Sequence, residues 1–286
     1  MISKGLARAA FLAILGGFLV LPLRAAGRAE CFSLQSKILK RAVPYCVLLP
    51  PSYDAAKDKR YAVLYYLHGL HGNEQSFLEA GGLNLVEDLW DRHAIGEFLM
   101  VFPNGDDSFY INSRDGKVRY EDFFVREFLP FIEGRYRVKT GRKFRGIGGI
   151  SMGGYGALHL AFAHPDLFGS VSAHSAALMD SLPNGFGAEA RGDSTVDQDF
   201  WTRNNPLQLA KTARLNGLEI YFDCGTEDDY GFYKGAKELD AELTKRRIPH
   251  EFHLYPGAHN WDYFAAHLPA SLAFHSKAFG LTATGD

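Results

Sequence analysis

The chain has 286 residues, 47% of them hydrophobic and 14% aromatic, which is enough to bury a large core in a single α/β domain. With 31 basic and 33 acidic residues the formal net charge is -2. That near-balance excludes the clustered basic face of a nucleic-acid binder and the charge bias of a disordered tail.

Lys4 and Arg8 precede an apolar run from Ala9 to Leu23, followed by the small-residue zone Arg24-Ala25-Ala26-Gly27-Arg28-Ala29. A basic start, an apolar stretch and a cleavage zone read as a secretory signal peptide over residues 1–29, so the expected location is secreted or periplasmic. Taken instead as an uncleaved anchor, the run is short for a span of about 20 residues, and Gly16, Gly17 and Pro22 interrupt it. No later segment is apolar for long enough to span a membrane, so no stable membrane association is expected after cleavage. Residues 30–286 form the expected folded domain. Of the three cysteines, Cys31 and Cys46 are the obvious pair in an exported chain, although Cys46 in an apolar strand also reads as core.

Phe32 to Ile38 and Val43 to Leu49 read as a hairpin of two strands, ended by Pro50-Pro51. Tyr61 to Leu67 and Phe98 to Phe102 are continuous apolar runs, as strands buried on both faces require. His68-Gly69-Leu70-His71-Gly72 is the loop after the first of them, and the polar stretch from Asp106 to Lys117 reads as a surface loop. Phe123, Phe124, Phe128, Phe131 and Ile132 mark an amphipathic helix, with Asp122 as its start and Gly134 as its stop. Further strands are predicted at Gly169 to Ala173, Leu218 to Cys224 and Glu251 to Tyr255, with helices over 233–246 and 260–279. Strands alternating with helices predict an α/β fold with a doubly wound, mostly parallel sheet that begins with an antiparallel hairpin. Ala176 to Asn216 is too long for a tight connection and reads as a cap or lid insertion.

Gly149-Ile150-Ser151-Met152-Gly153 is a G-x-S-x-G stretch. Lys143-Phe144-Arg145-Gly146-Ile147 before it reads as the approach to a strand, and Tyr155, Leu158, Ala161 and Phe162 follow at helical spacing. Such a serine sits where a strand turns sharply into a helix, its hydroxyl exposed and the helix N-terminus facing a developing oxyanion. A serine nucleophile needs a base, and the base needs an orienting carboxylate. Of 11 histidines, His259 is the one on a loop after a late strand. Asp228 lies in the loop after the preceding strand, with Glu227 and Asp229 as rivals on either side. The backbone N–H of Met152 and that of Leu70 are the candidate oxyanion donors. His68 and His71 flank glycines in a loop, a poor setting for zinc. Gly146-Ile147-Gly148-Gly149 has the wrong spacing for a phosphate loop. Neither a metal nor a cofactor is expected.

These pieces together resemble the esterase family of α/β-hydrolases, which includes esterase D, the S-formylglutathione hydrolases, secreted feruloyl and acetyl esterases, and mycolyltransferases. The resemblance rests on Tyr45-Cys46-Val47-Leu48-Leu49-Pro50-Pro51-Ser52-Tyr53, Tyr66-Leu67-His68-Gly69, Gly149-Ile150-Ser151-Met152-Gly153-Gly154, Asp223-Cys224-Gly225-Thr226-Glu227-Asp228 and Gly257-Ala258-His259-Asn260-Trp261. It covers nearly the whole mature chain. It implies the α/β-hydrolase fold and a cofactor-free serine hydrolase working through an acyl-enzyme. It favours Asp228, three residues after a strand-end glycine, and His259, within Gly-x-His-x-Trp.

An exported single domain suits a carboxylesterase of small-acyl or feruloyl type, acting on a small-molecule or carbohydrate-linked ester. An acyltransferase, or a thioesterase of the S-formylglutathione type, would use the same machinery. A catalytically silent binding module is the non-enzyme reading. Tyr110, Phe200, Trp201 and Trp261 are candidates for an aromatic-lined pocket, or else core. The oligomeric state is not legible.

Overall fold

The computed structural model describes residues 26–179 and 198–281. The expected signal peptide therefore lies outside the described residues up to position 25, and so does the middle of the expected lid, residues 180–197. One eight-stranded sheet carries the fold: β1 (Arg28–Gln35), β2 (Ala42–Leu49), β3 (Val63–Leu67), β4 (Leu99–Pro103), β5 (Arg145–Ile150), β6 (Ser170–His174), β7 (Glu219–Gly225) and β8 (Glu251–Tyr255). Their order is β1-β2-β4-β3-β5-β6-β7-β8. β1 and β2 pair antiparallel, as do β2 and β4, and every later pairing is parallel.

The apolar strands are continuous because helices cover both faces. In β3, Val63, Tyr65 and Leu67 enter one hydrophobic cluster while Leu64 and Tyr66 enter the other. The first cluster packs under α2 (Tyr120–Phe123), α3 (Leu129–Arg135) and α4 (Met152–Ala163). The second packs under α1 (Leu83–Asp91) and the long C-terminal helix Trp261–Ala278. α4 has no solvent face: residues 152–162 are all buried. Two short helices, α5 (Gln198–Asn204) and α6 (Pro206–Thr212), fall within the expected insertion. α7 (Tyr233–Lys245) links β7 to β8, and the C-terminal helix, α8, follows β8.

Three local expectations are corrected. β1 begins at Arg28, earlier than the expected Phe32, and the hairpin turn spans 36–41. As a largely exposed edge strand, β1 lacks the apolar alternation that would mark its limits. Second, Leu78–Gly82 and α1 form a helical segment that the sequence reading does not anticipate. Third, Asp106 to Lys117 is not a surface loop, because Phe109, Tyr110 and Ile111 are fully buried in its middle. Asp106, Phe109 and Tyr110 adopt positive φ of 45°, 55° and 60°, a tight fold that periodicity does not reveal. At the hairpin Cys31 faces Cys46 in register, and the two form a disulfide. Cys224 is free and buried.

Candidate active site

Ser151 stands between β5 and α4 with φ 55° and ψ -118°. A non-glycine residue in this sparsely populated region costs about 1–3 kcal/mol and persists only where neighbours hold it. Ser151 N–H donates to the His174 carbonyl at 2.9 Å, and the Ser151 carbonyl accepts from Tyr155 N–H and Ala177 N–H, both at 3.0 Å. The flanking glycines are steric necessities. A β-carbon on Gly149 would lie 2.5 Å from the Gly153 backbone, and one on Gly153 would lie 2.1 Å from the Leu67 carbonyl oxygen.

The loops after β7 and β8 meet the serine from one side. His259 Nε2 lies 3.0 Å from Ser151 Oγ, and His259 Nδ1 lies 2.7 Å from Asp228 Oδ2. The network assigns the proton to Nδ1, which donates to the carboxylate, and leaves Nε2 to accept from the serine hydroxyl. The other Asp228 oxygen accepts the N–H of Tyr230 at 3.1 Å and of Phe232 at 3.3 Å. Burial alone would raise the Asp228 carboxyl, but the His259 hydrogen bond and charge and these two amides hold it below its ordinary value. Glu227 and Asp229, the sequence-level rivals, are exposed. The rings of Tyr230, Phe232 and Phe264 meet the imidazole edge-on with centroids 4.9, 5.3 and 5.4 Å away. This aromatic clamp is not foreseen from the sequence, although Tyr230 and Phe232 stand in the residues just after Asp228.

The loop after β3 runs against the serine. A β-carbon on Gly69 would lie 3.5 Å from Ser151 Cβ, which puts Leu70 beside the elbow whose next amide is that of Met152. His68 fixes this loop. Its Nε2 accepts the Gly105 N–H at 2.8 Å while Nδ1 lies 2.8 Å from the Gly69 carbonyl. Burial lowers the His68 pKa and so favours the neutral ring that both contacts require. His71 pairs with Asp107 at 2.8 Å.

Of the candidate pocket aromatics, Tyr110 and Trp201 are core: Trp201 stacks on Tyr155 at 4.9 Å, and Tyr110 is wedged where β-carbons on Gly105 and Gly156 would sit. Trp261 instead lines a cavity of about 120 Å³ with Tyr66, His68, Phe77, Phe102 and Ile150. Ile150 directly precedes the serine, His68 opens the loop that carries Leu70, and Trp261 follows His259 by two residues.

Residues 36–275 match the sequence profile of the family described as "Putative esterase". Among curated relatives, Esterase Rv1288 of Mycobacterium tuberculosis is 30% identical over 242 residues, 74% of this chain and 51% of the relative. The chain thus spans about half the length of that protein. An acetyl esterase of Caldicellulosiruptor saccharolyticus is 26% identical over 263 residues, 85% of this chain and 96% of the relative. Among solved structures, a ferulic acid esterase superposes with a TM-score of 0.79 at 28% identity, covering 89% of this chain and 99% of the other. With its sheet order, its strained serine turn and a profile match over most of its length, this chain belongs to the esterase family of α/β-hydrolases.

Proposed function

We propose that the protein is an exported serine carboxylesterase of small-acyl or feruloyl type. The observation that carries this reading is the unbroken line of contacts from Ser151 through His259 to Asp228. Ser151 Oγ attacks the ester carbonyl as its proton passes to His259 Nε2. The backbone N–H groups of Met152 and Leu70 receive the negative charge that develops on the carbonyl oxygen. The tetrahedral adduct collapses, the carbonyl–alkoxide bond breaks, and His259 returns its proton to the departing alcohol. Water then attacks the acyl-serine by the same proton route in reverse, releasing the acid and restoring Ser151. Asp228 holds the imidazole in its working tautomer and stabilises the imidazolium.

Two features support the acyl assignment. The cavity beside Ile150 has aromatic walls and is small, which suits a short or planar acyl chain. The acetyl esterase and ferulic acid esterase likenesses represent these two acyl classes. Export is supported by the basic and apolar N-terminus and by the Cys31–Cys46 bridge, which persists in oxidising compartments.

The test is hydrolysis of p-nitrophenyl acetate, p-nitrophenyl octanoate and methyl ferulate by the purified chain, with Ser151→Ala alongside. Turnover that disappears in Ser151→Ala is the expected result, and the order of the three rates names the acyl preference. Equal rates in both proteins would remove Ser151 from the mechanism.

A further inference from the structure

A second serine–histidine–aspartate array lies beneath the first. His174, at the end of β6, is the register partner of Asp223 in β7, with Nδ1 2.8 Å from Asp223 Oδ2. The opposite ring nitrogen, His174 Nε2, lies 2.7 Å from Ser271 Oγ on α8. The three residues are 0%, 1% and 1% exposed, so no substrate reaches them and the array is not a second active site. Asp223 also accepts two phenol hydroxyls, Tyr221 at 3.0 Å and Tyr263 at 2.8 Å.

Its place in the chain gives this carboxylate its meaning. Asp223 stands five residues before Asp228 on β7, and Tyr263 stands four residues after His259, in the first turn of α8. The loops between them are knitted together: Thr226 N–H donates to the Tyr255 carbonyl at 2.8 Å and Glu227 N–H to the Gly257 carbonyl at 3.0 Å. The Tyr263 ring closes the gap, since a β-carbon on Gly257 would lie 2.7 Å from it and one on Gly225 would lie 3.5 Å from it. The Tyr263 N–H is taken by Asn260, the capping residue next to His259. His259 must satisfy Ser151 and Asp228 at once, which tolerates an error of only about 0.5 Å. Replacing a buried ionic group by well-packed apolar side chains is often neutral or stabilising, so overall stability is a weak reason for one here.

We propose that Asp223 and Tyr263 are positioning residues for the reaction: the Asp223–Tyr263 hydrogen bond sets the spacing of the loops that carry Asp228 and His259. The inference rests on the esterase reading above. It is tested with Tyr263→Phe, which keeps the ring and its packing and removes one hydroxyl. The measurements are kcat and KM for p-nitrophenyl acetate, the pH profile of kcat/KM, and Tm. The expected result is a fall in kcat of about ten- to a hundredfold, as for a small misplacement of a catalytic group, with KM within about twofold. The acid limb of the profile should also move to lower pH, because a loosened Asp228 stabilises protonated His259 less. A kcat and an acid limb identical to wild type, whether or not Tm falls, would overturn the proposal. Asp223→Asn should shift kcat and the acid limb in the same direction. Because it leaves His174 without its carboxylate and can misfold, the tyrosine variant decides. Wild-type turnover that requires Ser151 separates failure of this inference from failure of the esterase reading.

Discussion

Asp228 grips His259 with one oxygen and its own loop with the other: Oδ2 lies 2.7 Å from Nδ1, and Oδ1 takes the amides of Tyr230 and Phe232. A carboxylate anchored on both sides cannot swing away from the ring, so the imidazole's orientation is set before substrate arrives. Asp228→Asn keeps the size but offers an amide that can turn its N–H toward the imidazole and reverse the tautomer. We expect kcat to fall by about 10³–10⁴ with KM little changed. Steady-state kinetics on p-nitrophenyl acetate check this, and a loss under tenfold would remove Asp228 from the orienting role.

Gly153→Ala tests the elbow. The added carbon would collide with the Leu67 carbonyl, a backbone atom inside the sheet that cannot step aside. Overpacking of this kind costs about 1–3 kcal/mol or more. The variant should show a lower Tm and a larger fractional loss of activity than of folded protein, because the strain falls on the first helical turn after Ser151. A circular-dichroism melt paired with activity per folded molecule reads both.

His275 predicts a pH-dependent stability. It is fully buried with Ser170 Oγ at 2.8 Å from Nδ1 and Ser172 Oγ at 2.9 Å from Nε2, and burial, with the neighbouring His174 charge, pushes its pKa down to about 3. The unfolded chain binds this proton near pH ~6.5. Between those values the unfolded state holds more protons than the folded one, so stability falls as pH drops through that window. His275→Gln keeps a donor and an acceptor but cannot titrate. Its Tm is expected to be somewhat lower at pH 7 and to decline less than that of wild type from pH 6.5 to pH 4. Parallel Tm curves for the two proteins would contradict the assignment.

The cysteines give a chemical prediction. Cys224 is buried and its thiol is pushed up to about 12, chiefly by desolvation. The folded protein should therefore resist iodoacetamide, and the denatured, unreduced protein should show one reactive thiol. Reduction opens the Cys31–Cys46 closure, whose sequence separation is 15, and a loop of about that length is worth about 3 kcal/mol. A Tm that does not move with dithiothreitol would deny the bridge a stabilising role.

The loops that bring Ser151, Asp228 and His259 together were the most legible part of the chain, for a physical reason. A strand–serine–helix turn, a strand-end acid and a late histidine two residues after a glycine are set by short-range constraints, so they leave short-range marks. Fold class was readable for a similar reason, since β3 and β4 must be apolar on both faces. What stayed hidden depends on partners far along the chain. Phe109, Tyr110 and Ile111 sit among polar residues, and only the docking of Tyr110 against α4 and the His68 carbonyl shows why they turn inward. Asp223 looks like the tail of an apolar strand, and nothing near it announces Tyr263 or His174. The edge strand β1 carries too little apolar pattern to show where it starts.

The Ser151–His259 contact joins residues 108 positions apart, and His259 follows β8, which among the described residues pairs in the sheet only with β7. The Ser151–His259–Asp228 contacts cannot close until that last strand has docked. Recovery of ester hydrolysis during refolding should accordingly trail the recovery of helical signal, because a pairing of such long range forms late. A site built this way keeps Ser151 without its histidine until the chain has finished folding.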